Sequence, residues 1–233
     1  MPYRRLPNTD KARIRSLATA VDKMKNSYYY APVLSPELFN RAEKKLQQFR
    51  ETVDRYLAAQ KRQISNSKSD IYQTRLKNAR MYVSHFLTVF NLCVKRGEMK
   101  TSDRLFYSLD ENNGELPDLS SDISVIRCCQ NTIKGEKLRT MKGGIPIYNP
   151  TIAKVNVHFD LFQELYNKQC ELRRLTEESL AAVALMRPEI DEVIVEVWNS
   201  VENYFKDLEG EKKLKSCRDY GLIYYYRKGE KTD

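Results

Sequence analysis

The residues to weigh first as bases or metal ligands are the two histidines, His85 and His158, which stand beside Phe86 and Phe159 at the margins of apolar stripes. A metal centre needs several ligands converging, and neither His-Glu-x-x-His, Glu-x-x-His nor Cys-x-x-Cys spacing supplies them. Asp160 and Glu164, like Glu192 and Glu196, lie four residues apart and read as solvated acidic faces of helices. The cysteines are Cys93, Cys128, Cys129, Cys170 and Cys217. Their odd number, and the placing of Cys93 and Cys170 on apolar stripes, predict reduced and buried thiols. There is no Gly-x-Ser-x-Gly elbow and no phosphate-binding glycine loop, and Gly143-Gly144 reads as a turn. The expectation is no catalytic residue, no metal and no cofactor, with enzymatic activity left undecided.

Three groups remain as binding candidates. Arg15 and Arg127 each follow an isoleucine in a short helix, and either clamps the chain onto a carboxylate or binds an anion. Tyrosine is abundant at fifteen residues. Tyr28, Tyr29 and Tyr30, and likewise Tyr224, Tyr225 and Tyr226, lie near the basic Arg4, Arg5, Arg227 and Lys228. That pairing suits single-stranded nucleic acid, whereas tyrosines covering a bundle with their hydroxyls in water is the plainer reading. Lys44, Lys45, Lys61 and Arg62 belong to a basic first part: residues 1–96 sum to +13 and 97–233 to −4. Such a surface attracts phosphates by counterion release, but no nucleic-acid motif sharpens it.

The elements that position these residues are helices. Ser35-Pro36 caps a helix whose Phe39, Ala42, Leu46, Phe49, Val53 and Tyr56 recur at three- and four-residue steps. After Ser65-Asn66-Ser67 a second stripe, Tyr72 to Cys93, ends near Gly97, and the two helices are expected to pack antiparallel. Asn149-Pro150 opens another such helix, with Ile152, Val155, Phe159, Phe162 and Tyr166, followed by one carrying Ile190 to Leu208. A break is expected near Met186-Arg187-Pro188. Thr9-Asp10 caps a helix to about Met24, Ser121-Asp122 one to about Ile133, and 110–115 is a polar turn. Tyr28–Tyr30, Leu105–Tyr107, Ile145–Tyr148 and Leu222–Tyr226 read as short aromatic extended segments.

The second half repeats the first. Thr9-Asp10 aligns with Ser121-Asp122 and Ile14-Arg15 with Ile126-Arg127. Pro32-Val33-x-Ser35-Pro36 aligns with Pro146-Ile147-x-Asn149-Pro150, and the stripe residues follow at offsets of 113 and 114. The predicted fold is a mainly α helical bundle with an internal, pseudo-twofold duplication, units 1–113 and 114–233 packing as one compact bundle. Residues 35–96 carry +8 and 150–205 carry −5, so the repeats suit mutual docking.

The opening Tyr3-Arg4-Arg5-Leu6-Pro7-Asn8-Thr9-Asp10 and the closing Tyr220-Gly221-Leu222-Ile223-Tyr224-Tyr225-Tyr226-Arg227-Lys228 resemble uncharacterised helical proteins of Bacteroidetes. The resemblance implies a bacterial origin and no activity. No run is long and apolar enough for a membrane span or secretory leader, so a cytoplasmic location without membrane partners is expected. The expected function is a non-enzymatic, protein-binding scaffold. Weak nucleic-acid binding through the basic first half, and an enzyme or small-anion binder between the units, are the alternatives.

Overall fold

The computed structural model describes residues 2–27 and 33–226. It is mainly α: α1 (Asp10–Ser27), α2 (Pro36–Ser67), α3 (Asp70–Lys95), a 3-10 helix (Thr101–Tyr107), α4 (Asp122–Met141), α5 (Ile152–Tyr204) and α6 (Gly210–Arg218). Two short strands, β1 (Tyr3–Arg4) and β2 (Tyr224–Tyr225), pair antiparallel. No helix among the described residues is long and apolar enough to cross a membrane.

Several helix starts follow their sequence signals. Thr9, Ser35 and Ser121 accept the amide hydrogens of Ala12, Leu38 and Ser124 at 3.2 Å each, filling donors that a first turn leaves open. At α5 the cap is Thr151, which accepts from Lys154 N at 3.3 Å, and not the expected Asn149. The polar turn is made by Asp110 and Asn113, whose side chains accept from Asn112 N and Glu115 N.

The chain divides into two compact units, 1–60 with 175–233, and 61–174. Each therefore draws on both sequence halves, and its boundaries differ from the repeat boundary expected at 113/114. The first unit buries Leu17, Val21 and Met24 of α1 with Ala42, Phe49 and Val53 of α2, and Ile190, Ile194, Val197 and Trp198 of α5. The second buries Leu76, Val83, Phe86 and Phe90 of α3 with Tyr107, Val125 and Cys129, and Val155, Phe159 and Phe162 of α5. The buried stripes of α2 and α3 thus lie in different cores. The polar break expected at Ser65-Asn66-Ser67 falls instead at Lys68-Ser69, because α2 runs on to Ser67.

The expected break before Pro188 is also absent, because α5 runs through it as one helix of 53 residues. A proline inside a helix costs about 3 kcal/mol. Around it, however, Val183, Ile190, Val193, Ile194 and Trp198 are buried, each gaining roughly 1.5–3 kcal/mol. Burial decides the continuation.

Opposite charges meet inside the first unit. Arg41 and Lys45 of α2 pair with Glu196 and Glu189 of α5. Arg13 grips Asp191 through two hydrogen bonds of 2.8 and 2.9 Å, and Arg187 grips Asp10 through two of 2.9 Å.

The extended segments fare unevenly. Leu105–Tyr107 is helical, its three-residue period putting Arg104 and Tyr107 together on the buried side. Ile145–Tyr148 has only an isolated bridge from Tyr148 to Thr151. Tyr224–Tyr225 is a strand, but its partner is Tyr3–Arg4, which joins the opening and closing segments. Tyr28, Tyr29 and Tyr30 lie outside the described residues.

Candidate functional site

In the second unit, the α4 stripe Val125, Cys129, Thr132, Glu136, Arg139 continues inward after its apolar members end. Glu136 and Arg139 are 1% and 3% exposed, three residues apart on one helical face. Burying this ion pair requires that every polar atom be answered. Glu136 accepts from the Tyr107 hydroxyl, from Arg139 Nε at 3.0 Å and Nη2 at 2.9 Å, and from Ile147 N at 3.1 Å. Arg139 also donates to the Tyr107 oxygen at 2.8 Å and to Ile145 O at 2.7 Å.

Glycine makes the approach feasible. A Cβ on Gly135 would stand 2.3 Å from the Phe106 carbonyl oxygen, so only glycine lets the 3-10 helix lie against α4 there. Burial and the Glu136 carboxylate both raise the Tyr107 pKa, which keeps its proton in place. The centre is a closed network, with its carboxylate saturated and its phenol held protonated. That suits holding α4, the 3-10 helix and the 142–151 segment together, and leaves no group poised for acid–base work.

Two hollows flank it. One of about 490 Å³ is lined by Met99, Phe106, Arg139, Gly143, Gly144 and Ile145, with the Lys142 ammonium 5.0 Å from the Phe106 ring centre. The other, about 580 Å³, is a groove between α4 and α5 lined by Ile133, Glu136, Lys137, Thr140, Pro146, Ile152, Ala153 and Asn156. The segments that build this groove also expose Met141 and Tyr148, each 75% accessible.

The sequence candidates are scattered by comparison. Arg15 and Arg127 are exposed, and neither side chain forms an ion pair with a described residue. The gripping arginine of α1 is Arg13 instead. Arg4 and Tyr224 converge on Glu202, at 3.0 and 2.8 Å, while Arg5 lies 6.0 Å from the Tyr225 ring centre. Tyr226 is half-buried. Arg227 and Lys228, with the first tyrosine tract, fall outside the described residues. Lys44, Lys61 and Arg62 are exposed, and Lys45 is paired with Glu189.

No cluster of three or more His, Cys, Asp or Glu suited to a metal occurs among the described residues. The cysteines are free, and burial pushes Cys128 up to about 11 and Cys129 up to about 12. Cys170 is exposed, contrary to expectation, because α5 turns the neighbouring Gln169 inward to hydrogen-bond Asn66 at 2.8 Å and Gln63 O at 3.3 Å.

His158 stacks on Tyr82 with ring centres 4.1 Å apart. Burial, then the charges of Lys154 and Arg75, hold its pKa below the ordinary 6.5. The unfolded chain then binds the extra proton first, so stability falls as pH drops below about 6.5 toward the folded value. An NMR titration is expected to place the His158 midpoint below 6.5, and His158→Gln to reduce the acid-side loss of stability. A His158 midpoint at or above 6.5 would contradict the stacked, cation-flanked setting.

Glu136, Arg139 and Tyr107 went unrecognised at the level of sequence, as did Arg13 and Asp191. The signal for the first two is a polar pair continuing an apolar stripe beyond Ile133, where the helix was expected to stop. No family model, no curated protein and no solved structure matches this chain.

Proposed function

We propose that the protein is a non-enzymatic interaction module that docks an acidic peptide with apolar anchors in the α4–α5 groove. The observation that carries this reading is the groove itself: a largely apolar channel of about 580 Å³ whose contributing segments also expose Met141 and Tyr148. Charge complementarity selects the partner. The second unit holds 19 Lys and Arg against 12 Asp and Glu, and Lys137 lies on the groove wall. The closed hydrogen bonding of Glu136 and Tyr107 supports binding over catalysis.

The test is fluorescence anisotropy with three labelled probes: a Leu/Glu amphipathic peptide, its Leu/Lys counterpart, and a single-stranded oligonucleotide. The acidic peptide is expected to bind at about 0.15 M salt, and exposed Ala153→Glu to weaken it at least about tenfold, equivalent to roughly 1.4 kcal/mol. Oligonucleotide binding that survives that salt and ignores Ala153→Glu would replace this reading with the nucleic-acid one.

We also propose that the chain is an internal duplication, of the bacterial type that its opening and closing residues resemble, acting in the cytoplasm. Supporting it, Ala42, Leu46 and Phe49 are buried as are their counterparts Val155, Phe159 and Phe162; so are Leu76, Ala79 and Val83 with Ile190, Val193 and Val197. A second support lies outside helical periodicity. Leu109 N bonds Arg104 O across left-handed Ser108, φ 58°, and Leu222 N bonds Cys217 O across Gly221, φ 82°. All three positions differ by 113 residues. On this reading α5 is the fused counterpart of α2 and α3, and each compact unit combines the opening part of one repeat with the closing part of the other.

A further inference from the structure

We propose that the two sequence halves are obligate binding partners, and that a second copy of the chain can supply the missing half, because each core is built from both. This holds whether or not the halves arose by duplication, and it does not depend on the groove.

In the first unit, Ser16 of the first half accepts the indole hydrogen of Trp198 at 3.2 Å, and Leu17 shares a core with Ile194. In the second unit, Tyr72 donates to Asp122 at 2.6 Å and packs edge-on against Phe162, with ring centres 5.7 Å apart. A half alone would expose the apolar sides of two incomplete cores, a cost that no separate domain bears. Covalently, the halves join only at the crossover 109–121. That segment is held to the first half by bonds that include Arg104 Nη1 to Glu111 O at 2.7 Å, Asn91 Nδ2 to Gly114 O at 3.0 Å and Arg80 Nη2 to Ser120 O at 3.4 Å. Nothing in either core requires that both halves come from one polypeptide. The link raises their effective concentration and so favours the monomer.

The full-length protein with a protease recognition sequence inserted between the exposed Asn112 and Asn113 tests this. After cutting, the halves are expected to co-elute at the intact mass with unchanged far-UV signal. The melting temperature of the nicked form should fall on tenfold dilution, while that of the uncut protein stays constant. When nicked samples with and without ¹⁵N label are unfolded together and refolded, native mass spectrometry should find mixed complexes at close to half of the total. A second variant removes dependence on the insertion: a circular permutant starting at Asn113, with its original ends joined near the β1–β2 pair, should keep the far-UV signal and unfold cooperatively. Halves that separate under native conditions, one half retaining its helical signal alone, the absence of mixed complexes, or an unfolded permutant would each overturn the proposal.

Discussion

Replacing Glu136 with alanine is expected to lower stability by about 3–5 kcal/mol, the usual loss when one member of a buried ion pair is removed. The figure follows from what stays behind. Arg139, 3% exposed, would keep its charge with only the Tyr107 oxygen and Ile145 O as acceptors, and Ile147 N would lose its own. A buried unpaired donor alone costs roughly 1–3 kcal/mol, so the stranded guanidinium dominates. The double variant Glu136→Leu/Arg139→Met removes both charges and should recover most of the loss, since apolar replacements of buried pairs are often neutral. Urea unfolding followed by far-UV circular dichroism measures both. A single variant within about 1 kcal/mol of the parent would mean that the pair is hydrated and the centre is not closed.

Gly221→Ala is the second large effect, at roughly 3 kcal/mol. Two separate penalties combine there. The residue has φ 82°, which costs a side chain about 1 kcal/mol, and an added Cβ would stand 2.5 Å from the Ser16 carbonyl oxygen. Relieving that overlap means moving the turn or α1, at a cost of about 1–3 kcal/mol. Gly143 isolates the first penalty: its φ is 88° with nothing within 4 Å, so Gly143→Ala should cost only about 1 kcal/mol. Conversely, Ser108→Gly, at φ 58°, should be stabilising by up to about 1 kcal/mol. Trp198, the single tryptophan, donates to Ser16 and reports directly on this region. Equal losses at Gly221 and Gly143 in fluorescence-monitored unfolding would show that contact with α1 contributes nothing.

What the sequence determined by itself was local. The serine, threonine and proline signals marked the starts of α1, α2 and α4; the three- and four-residue stripes marked the buried faces; and Gly97, at φ 76°, marked the end of α3. These depend on neighbours within a turn or two, where propensity, capping and periodicity act. Only the tertiary structure decided which stripe met which. A short polar break between α2 and α3 was compatible with one shared core, but the two faces were buried in different cores. Pro188 was compatible with a helix end, but packing on both sides of it outweighed one lost hydrogen bond. The same holds for the centre in the second unit. Glu136 and Arg139 were legible as polar residues on a stripe, yet nothing local brings Tyr107, 29 residues earlier, to that carboxylate. Its arrival depends on the 3-10 helix reaching α4 at Gly135, and a contact across that separation is specified by packing, not by propensity.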